Sequence, residues 1–341
     1  MRQAADTWCK VIDFQRIEYL HLYQCTGADA LLDQLCKAAH LPKLLKAFTL
    51  QHIDNPENEG LLALDGFLCL VSGIRDLIID IIHAKDLPAT AGLVRHGKTL
   101  ETLNVHAWRD PLSMRPPTPP PPPSAAAFSE ELVYKLEDLS AVCGGCKSLT
   151  QLSIGWPSYS IVKPLTADML TYERLVAGQL KHLVTLNLSG WPSSSTGGTN
   201  LPRSIYEILL QAAALRIFNL AAYWSDHSHE TDGLSVSNLG VPSEWKFESS
   251  STPKLRVIAF GISDRIYERL DSKTQVIYLR STCQDAEGKT KLHAAPIGWC
   301  LKQFVEPVSD VLNTSLLRAP KLPLLGNGMR WDQEEDYIID D

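Results

Sequence analysis

The most reactive-looking pair in this 341-residue chain is Cys143-Gly-Gly-Cys146, the only closely spaced pair among eight cysteines. Two thiols at this spacing could hold zinc or exchange a disulfide. Zinc needs a second pair, or histidines in a suitable order, to complete four ligands. A redox pair normally opens a helix after a strand, and this one follows a helical stretch and precedes a strand-like one. Neither chemistry is expected of Cys143 and Cys146. The string Asp226-His227-Ser228-His229-Glu230 gathers ligand types too, but polar loops produce such strings by composition. The chain has no phosphate-cradling glycine loop, no Gly-x-Ser-x-Gly elbow and no His-Glu-x-x-His. The expectation is a protein that is not an enzyme and takes no cofactor and no metal.

A second set of chemistry-bearing residues recurs at alternate positions between apolar ones: Tyr19, His21 and Tyr23, then Gln51, Asp76, Asp80, Asn104, His106, Gln151, Asn187 and Asn219. Alternation of this kind is strand geometry, so these side chains are predicted to share one solvent-facing sheet surface. Along the chain the surface grades from aromatic and acidic through neutral polar to small and apolar. A groove for a protein or peptide has this character, with Tyr and His as anchors; merely solvated strand residues are the alternative. Trp108, Trp156, Trp191 and Trp224 follow four of the expected strands. They predict either an aromatic stack between coils at the strand ends or an exposed aromatic rim.

The elements that would position these residues come from a repeat. The pattern apolar-x-x-apolar-x-apolar occurs at Ile17-Leu20-Leu22, Leu45-Phe48-Leu50, Ile74-Leu77-Ile79, Leu100-Leu103-Val105, Leu149-Leu152-Ile154, Leu183-Leu186-Leu188, Leu215-Phe218-Leu220 and Leu255-Ile258-Phe260. The first three intervals between successive middle positions are 28, 29 and 26 residues, and the later ones are longer. Between them, 29–39, 57–71, 130–142 and 166–180 carry apolar residues three and four apart, which is helical spacing. Ser129 ahead of two acids is a plausible helix cap. Each unit is therefore read as strand, turn, helix. The predicted fold class is α/β: a leucine-rich-repeat solenoid or horseshoe, with parallel β-strands on the concave face and α-helices on the convex face.

The expected organisation is a short N-terminal cap over 1–16, the repeat array over 17–263, a C-terminal capping region over 264–331 and an acidic tail over 332–341. A Pro-rich insertion at 111–127 interrupts the array, its prolines fixing a polyproline II excursion. Loops rich in Ser, Gly and Thr at 193–200 and 225–251 interrupt it again. Around the turn-like Asp285-Ala-Glu-Gly288, the flanking segments suggest a hairpin or final strands sealing the array. The net charge of −7 includes six acidic residues within the last ten positions, which leaves −1 for the rest. Without a basic cluster, nucleic acid is not an expected partner. The longest apolar stretch, 61–71, is broken by Asp65 and too short to cross a bilayer, so no membrane association is expected. The charged first thirty residues and scattered cysteines predict a cytoplasmic or nuclear location.

Segments such as Arg16-Ile-Glu-Tyr-Leu-His-Leu-Tyr-Gln-Cys25 and Cys146-Lys-Ser-Leu-Thr-Gln-Leu-Ser-Ile154 resemble leucine-rich-repeat proteins with units of about 28 residues. In particular they resemble the fungal F-box/leucine-rich-repeat proteins, over residues 16–263. That resemblance implies docking of a Skp1-like adaptor of an SCF-type ubiquitin ligase through an F-box, with the repeat surface presented to a substrate. No F-box is recognisable ahead of Ile17. The segment Leu201-Pro202-Arg-Ser-Ile205-Tyr-Glu-Ile208-Leu209 is the nearest internal match, and it reads as a convex helix leading into the strand expected at Leu215. The functional expectation is a non-catalytic scaffold that binds a protein partner on its concave strand surface. The alternative is a structural or regulatory scaffold acting through its acidic tail and its polyproline loop, the loop engaging a polyproline-binding domain; an unrecognised enzyme is the third reading.

Overall fold

A computed structural model describes residues 2–55, 57–109, 130–193, 201–226, 254–261, 275–298, 305 and 310–313. The chain is a mixed α/β protein with mostly parallel strands, and it divides into two compact units.

The first unit comprises Met1–Gly155 with Leu316–Arg318. Its elements are α1 (Arg2–Val11), β1 (Tyr19–Tyr23), α2 (Ala28–Leu35), β2 (Ala47–Ile53), α3 (Glu59–Leu70), β3 (Asp76–Ile82), α4 (Thr90–Arg95), β4 (Thr102–Arg109), β5 (Glu130–Glu131), α5 (Leu136–Gly145) and β6 (Gln151–Ile154). The strands lie in the order β1-β2-β3-β4-β6, all parallel, and the short β5 adds antiparallel to the end of β4. Register follows the repeat position by position. Leu20, Phe48, Leu77, Leu103 and Leu152 form one row, and Leu22, Leu50, Ile79, Val105 and Ile154 form the next. Every side chain in these two rows is buried, which is why the pattern recurs.

Successive parallel strands are joined by a repeated backbone device. The N–H groups of Lys46 and Ala47 both donate to the Glu18 carbonyl, those of Arg75 and Asp76 to Lys46, those of Glu101 and Thr102 to Arg75, and those of Thr150 and Gln151 to Glu101. Each strand thus starts at the same height as its predecessor. Helices α1 to α5 pack each on the next. In α2, Ala28, Leu32 and Leu35 are buried at the spacing of one helical face. Helix α3 begins where the buried Asp54 carboxylate accepts the N–H groups of Gly60 and Leu61, which have no partner within the helix. Its Phe67 ring then meets Phe48 of β2 at 5.1 Å. Helix α1 buries Ala5 and Cys9 and leaves Trp8 and Val11 exposed, so the N-terminal segment both covers core and offers apolar surface.

Helix α5 starts six residues later than the spacing suggested, because Glu130 and Glu131 pair with Arg109 and Trp108 as β5. Lys135 occupies the N-cap position, and Ser129 lies outside the described residues.

The second unit comprises Trp156–Ser315 with Ala319–Asp341. It contains α6 (Ala167–Gln179), β7 (Thr185–Leu188), α7 (Arg203–Asp226), β8 (Val257–Gly261), β9 (Gln275–Gln284), β10 (Thr290–Ile297) and α8 (Asp310–Asn313). Strands β7 and β8 are parallel, pairing Leu186 with Ile258 and Leu188 with Phe260, and β9 and β10 follow as an antiparallel hairpin on β8. The hairpin turn is fixed by Asp285, whose carboxylate accepts the N–H groups of Glu287 and Lys289, and by Gly288 at φ +76°.

One expected strand is absent from this arrangement. Leu215-Phe218-Leu220 lies inside α7, a 24-residue helix, and β7 pairs directly with β8. The triplet fits a helix as well as a strand: Leu210, Ala213, Ala214, Ile217, Phe218, Ala221 and Trp224 are buried at spacings of three and four. Helix α7 is long and apolar enough to cross a membrane from Ser204 to Ser225, although half of that window is buried within the protein. Hydrogen bonds hold it to its surroundings, among them Gln211 Nε2 to the Ala294 carbonyl at 2.7 Å, Tyr278 Oη to that of Glu207 and Tyr206 Oη to that of Pro192.

Candidate functional site

The strand face between the apolar rows was expected to be open to solvent. On β1 it is. Tyr19 and Tyr23 are 61% and 58% exposed, His21 is exposed, and Leu20 and Leu22 between them are buried. The His21 imidazole meets the Thr49 hydroxyl at 2.9 Å and stacks on Tyr23, with ring planes 7° apart. Strand β1 forms an edge of the first unit's sheet, pairing with β2 alone among the described strands of that unit.

One strand further in, exposure falls away except at Ile53, at the end of β2. Asp76 is half-buried, and Gln51, Asp80, Asn104, His106 and Gln151 are buried, as are Thr49, Thr102 and Ser153 beside them. The expectation of a continuous solvent-facing surface is corrected for these residues. Parallel sheets are normally covered on both faces, and this one buries polar groups there by bonding them together. His106 sits at the centre. Its Nδ1 lies 2.6 Å from Glu131 Oε1 and its Nε2 2.9 Å from Ser153 Oγ. Register brings these groups together: Asp80 pairs with His106 and Asn104 with Ser153. Glu131 comes from β5, and Leu132 O would lie 2.4 Å from a Cβ at residue 155, so only glycine fits there. Sequence reasoning placed Glu131 in a helix and did not pair it with His106, because the two are brought together across a long insertion.

An acid, an imidazole and a hydroxyl in this order have the connectivity that activates a nucleophile. Ser153 and His106 are both fully buried, however. As folded, the chain of bonds ties β4, β5 and β6 together and presents no nucleophile to a substrate. Asn104 Oδ1 is buried in the same face without a hydrogen-bond partner among the described residues.

In the second unit Asn187 is buried and lies 3.4 Å from the Gln275 amide. Asn219 is on α7, not on a strand face, as are Ile217 and Ala221; its Oδ1 is buried without a partner. The remaining strand-face positions are filled from within: Val257 and Ala259 of β8 and Ile277 of β9 pack with Val305, Val311 and Leu312.

The four indoles form no exposed rim. Trp108 at the end of β4 and Trp156 after β6 are buried, Trp156 meeting Tyr172 edge-on at 5.8 Å. Trp191 is half-buried, and Trp224 is buried on α7 beside Gly178 and edge-on to Tyr223.

Cys143 and Cys146 are buried, and burial pushes their thiols up to about 12 and about 11. Burial thus disfavours the thiolate, the reactive form of a cysteine. The glycines explain the motif better. A Cβ on Gly145 would lie 2.6 Å from Val94 Cγ1, so a larger residue there would force Val94 to move. Among the described residues no group of three or more His, Cys, Asp or Glu is placed to hold a metal. The 226–230 string continues beyond the described residues, and the Pro-rich insertion and acidic tail lie outside them.

No family model, no curated protein and no solved structure matches this chain.

Proposed function

We propose that the chain is a leucine-rich-repeat solenoid that acts as a non-catalytic recognition scaffold, and that it engages a protein partner through Tyr19, His21 and Tyr23. The repeated donation of two strand-leading amides to one carbonyl of the preceding coil supports the solenoid. The observation that carries the binding face is the exposure of two tyrosines and a histidine side by side on an edge strand, where the same face of β2 and β3 is buried or half-buried except at Ile53. Tyrosines of this kind are the usual anchors of protein interfaces, and an unpaired strand edge adds main-chain donors and acceptors. The F-box resemblance makes a Skp1-like adaptor, within an SCF-type ubiquitin ligase, the first partner to test. Seven free cysteines among the described residues support a reducing, cytoplasmic or nuclear compartment.

The test is affinity capture from extract with the chain and with a Tyr19→Ala, His21→Ala, Tyr23→Ala variant of unchanged circular dichroism. Partners captured by the first should be lost from the second; an unchanged set overturns the assignment. Burial of Gln51, Asp80, Asn104, His106 and Gln151 favours a second reading, in which the polyproline loop and acidic tail make the contacts. Deleting residues 111–127 would then remove partners that the triple variant retains.

A further inference from the structure

Within the second unit, α6, α7 and the 159–165 segment line a half-open groove of about 360 Å³. Ligand sites begin at about 300 Å³. Leu165 and Leu170 line one side, and Leu209 and Ala212 of α7 the other. The apolar lining continues outward. Ile205 and Ile208 are 45% and 62% exposed and precede Leu209 and Ala212 at helical spacing, forming one stripe that leads to the groove.

Against these walls stand two cations, Lys163 and Arg216. Arg216 is tied to the buried Glu173 by two hydrogen bonds of 2.8 and 2.6 Å, which fixes the guanidinium and offsets its charge. Tyr159, whose hydroxyl also bonds Arg216, has its pKa pushed up to about 12 by burial, so it stays a neutral donor. Lys163 has no ion-pair partner among the described residues and leaves the groove with a net positive end.

We propose that this groove binds a single-tailed anionic amphiphile, a medium-chain carboxylate, its alkyl chain along Leu165, Leu170 and Leu209 and its head group at Lys163 and Arg216. The site is independent of the binding face assigned to β1.

Isothermal titration of the full chain with decanoate, and with decanol as its uncharged counterpart, tests this. Saturable one-site binding of decanoate is expected below the concentration at which it aggregates. Ala212→Trp, at an exposed position, should weaken both ligands at least tenfold by filling the entrance. Lys163→Gln should weaken decanoate about tenfold and leave decanol unchanged, the loss expected for one charged hydrogen bond. Absence of saturable binding overturns the proposal, as does decanoate affinity unchanged in either variant with circular dichroism preserved. Should Ala212→Trp fail to fold, the Lys163→Gln comparison of the two ligands decides alone.

Discussion

The first unit fills its strand face with polar residues, whereas β8 and β9 of the second fill theirs mainly with apolar ones. In the first, polar residues are buried and partly bonded to one another, with His106 held between Glu131 and Ser153. In the second, Val257, Ala259 and Ile277 are small and apolar and pack with Val305, Val311 and Leu312. Hydrogen bonds are directional, and removing one partner leaves the other stranded. Apolar packing is graded, and its loss scales with the volume removed. The polar face therefore specifies which strands meet, and the apolar one supplies cohesion between them.

The largest effect should come from the apolar side. Leu312→Ala removes a fully buried side chain and should cost about 2–5 kcal/mol, read from the urea midpoint. Glu131→Ala should cost about 1–3 kcal/mol by leaving His106 Nδ1 buried without its acceptor, and Glu131→Gln should recover part of this. If Glu131→Ala proves the costlier, the division of roles is reversed.

The smallest effect concerns pH and belongs to the first unit. Burial holds His96 below the usual imidazole range; its bond to the Leu68 carbonyl opposes this and the Arg95 charge reinforces it. Its folded pKa is depressed, so the unfolded chain takes up the proton first. The stability it supports is present above about pH 6.5 and falls on acidification toward its lower folded value. Amide exchange should show the first unit losing protection between pH 8 and pH 5.5, and His96→Leu should flatten that response.

How far the sequence could be read follows the same division. Apolar rows were legible because each strand contributes the same two positions, and Leu20, Phe48, Leu77, Leu103 and Leu152 pair as their spacing implies. The segment at Leu215 was not, since its spacing satisfies a helix too and the decision rests on a stripe extending from Leu210 to Trp224. Exposure at the candidate site was legible only for Tyr19, His21 and Tyr23. Alternation tells which side chains share a face; it does not tell what covers that face, and burial of Gln51, Asp80 and Asn104 is a tertiary event. The link from His106 to Glu131 was hidden for another reason: it closes across an insertion whose length carries no information about where its ends meet.

The shared carbonyl at the start of each parallel strand makes the fold extensible. Because every new strand needs only one oxygen from its neighbour to find its height, the chain between two strands can grow without disturbing the alignment of either. The amides that open β6 share the Glu101 carbonyl as those that open β4 share the Arg75 carbonyl, although the proline-rich stretch of sequence lies between the two strands. Architecture of this kind lets new surface be grafted at the turns while the ladder beneath keeps its pitch.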